Sequence, residues 1–144
     1  MALTKLNDIR IGDWFTHLHG RGVLKAYTVE MYCKCVVLGG DIVEVDYREM
    51  IPVGLSEAVL EHSGFKERCS CYYYRDGRIV YNPMAKQVAY IDENGYHAIP
   101  WRVEHLHQLQ HIFYELTGKE LECDMFGLAN KIMEGMNHGN ASEN

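Results

Sequence analysis

The stretch Val23-Leu-Lys-Ala-Tyr-Thr-Val-Glu-Met-Tyr-Cys-Lys-Cys-Val-Val-Leu38, then Gly39-Gly40-Asp41 and Ile42-Val-Glu-Val-Asp-Tyr47, sets the fold class. From Val23 to Leu38, Tyr27, Val29, Met31 and Cys33 fall on one parity. Thr28, Glu30, Tyr32 and Lys34 fall on the other, which is the period of one long half-buried strand. The glycine pair then turns the chain back through Ile42–Tyr47 as a hairpin. Upstream, Trp14-Phe15-Thr16 runs into the glycine-flanked His17-Leu-His19-Gly-Arg-Gly22, a turn or loop tip. Such short strands close most simply as a strongly bent antiparallel sheet or an SH3-like barrel.

Ile51-Pro52-Val53-Gly54 interrupts this sheet. Ser56 is placed to N-cap a helix of about two turns over Glu57–Ser63, with Gly64 at its C′ position. A second block of three or four strands comes next. Tyr72-Tyr73-Tyr74 and Ile79-Val80-Tyr81 flank Arg75-Asp76-Gly77-Arg78, and Gln87–Ile91 and Tyr96–Ile99 flank Asp92–Gly95. Leu106, Leu109, Phe113 and Leu116 recur at helical spacing, predicting an amphipathic helix over 103–117 that Gly118 stops. Met125, Leu128, Ile132 and Met136 line a second, weaker helix, in which Gly127 and Gly135 each cost about 1 kcal/mol relative to Ala. Residues 138–144 form a polar, frayed end.

The expected class is therefore α+β. Residues 1–122 make a single domain, with an 8–54 β subdomain and a 55–122 helix-β-helix subdomain, and 123–144 form a C-terminal tail. Trp14, Tyr27, Val29, Val43, Val45, Val59, Leu60 and Phe65 are assigned to the core, with Leu106, Leu109, Phe113 and Leu116 from the long helix.

Composition narrows the function classes. The 144 residues are 47% hydrophobic and 24% charged, the balance of a folded chain. Fourteen Lys and Arg against twenty Asp and Glu leave a net charge of −6, which disfavours a protein that holds nucleic acid mainly by neutralising phosphates. Met1–Asp8 lacks the apolar stretch of a secretory signal, and no apolar run approaches the roughly 18 residues of a spanning helix. A cytoplasmic protein with no membrane attachment is expected, and its five cysteines read as reduced thiols.

The order of signals carries a resemblance. Asp8-Ile-Arg-Ile-Gly-Asp-Trp14 is followed by Ile51-Pro-Val-Gly-Leu-Ser56, by Gly64-Phe65, and by His107-Gln-Leu-Gln110 through Leu116-Thr-Gly-Lys-Glu-Leu121. Over residues 8–122 this resembles a family of small hypothetical proteins from gut Bacteroides-type bacteria and their phages or mobile elements. The resemblance implies no activity. The segment from Cys123 to Asn144 and the paired cysteines depart from the family's pattern.

Two constellations have metal-ligand chemistry. Cys33-Lys34-Cys35 and Cys69-Ser70-Cys71 each put two thiols at i and i+2, on one face of a strand if extended, and four such sulfurs could converge on zinc. An i, i+2 strand separation of roughly 6–7 Å is, however, wide for two ligands of one metal. His107 and His111 lie one helical turn apart, and the glycine-flanked His17-Leu18-His19 could bring a third imidazole. The competing reading places His105, His107 and His111 on the solvated face of the helix.

Tyr72, Tyr74, Arg75 and Arg78, together with Lys25 and Tyr27, combine aromatic faces with cationic groups, as a surface for single-stranded nucleic acid would, although Tyr73 should point away from Tyr72 and Tyr74. No nucleophile elbow, phosphate loop or dinucleotide fingerprint is present, so no catalytic residue is assigned and an enzyme is not favoured. No cofactor is predicted, with zinc left as an alternative. The favoured function is a non-catalytic interaction module with a protein partner, or self-association as a homodimer through residues 124–137.

Overall fold

Strands β1 (Trp14–His17), β2 (Val23–Ala26), β3 (Tyr32–Val36), β4 (Ile42–Asp46) and β5 (Met50–Pro52) form one antiparallel sheet, ordered β4-β3-β2-β1-β5. Strands β6 (Phe65–Arg68), β7 (Cys71–Tyr74), β8 (Ile79–Asn82), β9 (Gln87–Asp92) and β10 (Gly95–Ala98) form a second, an antiparallel meander in chain order. Helix α1 (Glu57–Glu61) precedes the meander and α2 (Leu106–Thr117) follows it. The fold is α+β, seen in a computed structural model that describes residues 8–18 and 22–131. It divides into two compact units, one of Met1–Pro52 with Asp124–Asn144 and the other of Val53–Cys123.

In the first unit, register decides which side chains meet. Phe15 stands opposite Leu24, Ala26 opposite Cys35, and Cys33 opposite Val45, so these point to one side. With Ile9 and Met50 they make the core. The two edges of the sheet, β4 and β5, are joined only by a 3-10 turn, Tyr47–Glu49. In a flat sheet, four strand spacings of about 4.8 Å would hold those edges about 19 Å apart. The four peptide steps from Asp46 to Met50 reach at most about 15 Å. The sheet must therefore curl, which is how Val45 and Met50 come to share one core. The expected bend is present, but no ladder joins β4 to β5 among the described residues, and the sheet does not close into a barrel.

Side chains fix the turn that forces the curl. The Arg48 N–H donates to Asp46 Oδ1 at 2.9 Å, and its guanidinium grips the same carboxylate, with Nη2 2.6 Å from Oδ2. Those side-chain hydrogen bonds hold the Asp46 carboxyl down at about 2. Next to it, buried His17 Nε2 is hydrogen-bonded to Glu49 Oε2 at 2.9 Å, which ties the end of β1 to the turn.

The predicted long strand from Val23 to Leu38 is instead a hairpin. The chain reverses between Ala26 and Tyr32 with no glycine or proline. The N–H groups of Tyr27 and Thr28 donate to the Lys34 carbonyl, and the Lys34 N–H donates to Thr28 Oγ1. Threonine here supplies the local acceptor that a turn needs, so strand propensity yields to side-chain capping. Tyr27, expected in the core, sits in this turn and is 54% exposed.

The other face of the first sheet carries Trp14 opposite Lys25. Trp14 is buried, and the edge of Phe126 packs against its ring. Phe126 belongs to a helix over residues 125–131, where Asp124 Oδ1 accepts from the Gly127 N–H and caps the first turn. Ile132 and Met136, assigned to the same helix, and the segment 138–144 lie outside the described residues.

In the second unit, Ser56 Oγ accepts from the Val59 N–H at 3.3 Å, as an N-cap should, and α1 buries Val59 and Leu60. The meander has five strands, where three or four were expected. The additional one is β6, whose Phe65-Lys-Glu-Arg68 has a single apolar residue and no sequence signature of a strand. It joins β7 through Cys69 and Ser70, both at positive φ, in a two-residue turn.

Helix α2 starts at Leu106, later than expected, because Gln108 Oε1 accepts from the N–H groups of Glu104 and His105 and caps it there. The Leu106 N–H donates to the Val53 carbonyl and the buried Tyr81 hydroxyl donates to that of Val103, so the helix entry is held from two sides. Gly118 ends the helix at φ 71°. Among the described residues, no helix is long and apolar enough to cross a membrane.

Candidate functional site

The second unit carries an open groove of about 1090 Å³ at the end of its sheet, alongside the last turns of α2. Its floor is built in layers. Phe65 and Tyr74 face each other across β6 and β7, and Ile79 and Tyr90 across β8 and β9. The Tyr74 ring meets Phe113 of α2 edge-on at 4.8 Å and tilts against Phe65 at 5.4 Å. Tyr74, Ile79, Tyr90, Phe113 and Leu116 therefore give the groove an apolar and aromatic base.

Charges of both signs surround that base. Arg75 and Arg78 flank the β7–β8 turn, with Asp76 between them, and Lys119, Glu115, Glu120 and Glu122 come from the helix end and the segment after it. The Arg75 guanidinium lies over the Tyr74 ring, 5.5 Å from its centre, and 3.8 Å from Glu122. Gly64 makes room for this arrangement: a Cβ there would come within 2.9 Å of Tyr74 and 3.0 Å of Arg75. Asp92, on the groove's border, is hydrogen-bonded at 2.8 Å to His97 Nε2, whose ring stacks on Tyr90. That hydrogen bond, helped by the Asn94 N–H, holds the Asp92 carboxyl below the usual carboxylate range.

Of the binding residues named from sequence, Tyr74, Arg75 and Arg78 line this one groove. Tyr72 does not; it is buried, 8% exposed, on the same side of the sheet as Tyr81. Tyr90 and Lys119 were missed, and Phe113 and Leu116 were read only as core. Their contribution depends on the pairing of Ile79 with Tyr90, a register that no motif marks.

The cysteines divide between the units. Cys33 and Cys35 are fully buried in the first, where desolvation raises both thiols, Cys35 to about 12. A zinc ligand must shed its proton, so burial opposes that role at both. In the second unit, Cys69 is exposed in the β6–β7 turn with φ 54°, and only Cys71 lies on a strand. The i, i+2 geometry expected for an extended Cys69-Ser70-Cys71 is therefore absent.

His107 corrects the expected solvated face of α2: it is 6% exposed. Leu106, His107, Leu109, Gln110, Ile112 and Phe113 are all buried, an arc of about 220° at 100° per residue rather than one stripe. His105, His107 and His111 do adjoin, with ring centres 5.9 and 5.7 Å apart along the row. His17 lies at the end of β1 in the first unit, hydrogen-bonded to Glu49, and His19 lies outside the described residues. Among the described residues, no group of three or more His, Cys, Asp or Glu is arranged to hold a metal ion.

No family model matches the chain, and neither a curated protein nor a solved structure matches it.

Proposed function

We propose that the protein is a non-catalytic interaction module of a phage-related or mobile-element system, and that the groove beside α2 is where it holds a protein partner. The observation that carries this reading is the layered base of Tyr74, Ile79, Tyr90, Phe113 and Leu116 inside a rim of both charges. Apolar and aromatic surface supplies the burial that drives association, and a mixed rim selects orientation. The family resemblance supports the mobile-element setting. In the first unit, a five-stranded sheet curled by a one-turn link between its edges supports the SH3-like reading, a fold class that serves many binding roles.

The test is affinity capture from a nuclease-treated host lysate with the tagged chain, its Arg78→Glu,Leu116→Glu variant, and an Ile42→Glu control placed in the first sheet. A stoichiometric partner retained by wild type and control but lost by the groove variant is the expected result. Equal recovery by all three would move the contact elsewhere and overturn the assignment of the groove.

A further inference from the structure

We propose that the outer side of the β6–β7 hairpin is a contact surface for single-stranded nucleic acid. Cross-strand pairing sets Lys66 opposite Tyr73 and Arg68 opposite Cys71, so all four point to one side of the sheet. Phe65, Glu67, Tyr72 and Tyr74 point to the other side, where Phe113 of α2 packs. On these two strands both cations face outward, and the one carboxylate belongs to the opposite side. Lys66 and Arg68 are exposed.

The cations stand beside an aromatic ring. Lys66 is paired opposite Tyr73, and the Arg68 guanidinium lies over the Tyr73 ring, 5.1 Å from its centre. A shallow groove of about 510 Å³ runs past Lys66, Arg68, Tyr73 and Arg75, with Glu67 and Asp76 also on its border. On the Tyr73 side Lys66 and Arg68 bring two positive charges in a chain whose net charge is −6, while Arg75 lies over Tyr74 and beside Glu122 on the side of α2. Unpaired bases stack on tyrosine rings and on guanidinium planes, while Lys66 and Arg68 are placed for the phosphates on either side. A duplex hides its base faces and gives Tyr73 nothing to stack on. This is a different side of the sheet from the one that faces α2, and it does not depend on the protein-partner reading.

Fluorescence anisotropy of a labelled oligothymidylate with the full chain tests this, alongside its duplex with oligoadenylate and a base-free polyanion, polyglutamate. Tighter binding of the single strand is expected, with a log–log salt slope of about −1.4 for two cations at about −0.7 each. Arg68→Gln should flatten the slope to about −0.7. Tyr73→Leu should weaken binding about tenfold without changing the slope. Melting curves confirm that both variants are folded.

Absence of binding at low salt, or binding indifferent to both substitutions, would overturn the proposal. Polyglutamate bound as tightly as the oligonucleotide would also overturn it, in favour of an acidic protein ligand. The capture experiment reads Arg78 and Leu116 and this one reads Arg68 and Tyr73, so either can fail alone.

Discussion

Phe126 stands edge-on to Trp14, ring centres 4.7 Å apart and planes at 79°, joining residues 112 positions apart in the chain. Phe126 is half-buried, so Phe126→Ala should destabilise the first unit by about 2 kcal/mol, below the range for a fully buried ring. Urea unfolding followed by Trp14 fluorescence, in a Trp101→Phe background that removes the other tryptophan, measures it. An unmoved midpoint would mean that this helix does not hold the sheet. The expected homodimer through residues 124–137 has to be weighed against this use of Phe126 and against the burial of Met125. Its residues 132–137 lie outside the described ones.

Leu109 is completely buried and Phe113 nearly so. Leu109→Ala or Phe113→Ala should each cost about 2–5 kcal/mol by lost transfer energy and the cavity left behind. Phe113→Ala should in addition free the Tyr74 ring and widen the groove. Thermal melts report the first effect, and the chemical shifts of the Tyr74 ring protons report the second.

Gly64→Ala combines a positive φ of 88° with a clash against Tyr74 and Arg75. The backbone conformation alone should cost about 1–2 kcal/mol. The variant should melt lower and lose Arg75 from its place over Tyr74. A melting temperature equal to wild type would show that both side chains yield freely.

Burial separates the five thiols. In the native protein a disulfide reagent should modify Cys69 first, Cys71 and Cys123 more slowly, and Cys33 and Cys35 only after unfolding. The same burial sets an alkaline limit. Cys35 stays protonated to about 12 when folded but ionises near 9.0 when unfolded. Above 9.0 the native state therefore binds more protons than the unfolded state, and stability falls as the pH rises. Cys35→Ala should lose stability less steeply than wild type on raising the pH past 9.0. Parallel curves would remove Cys35 as the cause.

What the sequence made legible follows its strong local signals. Ser56 as a cap, Gly118 as a stop, the Gly39-Gly40 and Asp76-Gly77 turns and the α2 stripe are each written in a few adjacent residues. The turn at residues 27–31 was hidden because it is made by β-favouring residues and one threonine hydroxyl. Strand β6 was hidden because an edge strand rich in Lys, Glu and Arg has no apolar alternation to read. The burial of His107 was not legible, since a helix that covers an arc of about 220° still shows its strongest periodicity at the leucines. For the candidate site, Tyr74, Arg75 and Arg78 were found because the hairpin turn gathers them locally. Tyr90 and Lys119 reach the groove through tertiary pairing alone.

The division of the first unit between Met1–Pro52 and Asp124–Asn144 bears on how the protein is made. The second unit is one continuous segment, Val53–Cys123, and all of it leaves the ribosome before Phe126 does. The strands of the meander can thus begin to assemble before Phe126 is made, whereas Trp14 waits for its cover through the synthesis of more than one hundred residues. At about 5–20 residues per second that interval lasts roughly 5–20 seconds. During it, the outer face of the first sheet is open to chaperones and to other nascent chains, and a stalled ribosome would leave it so.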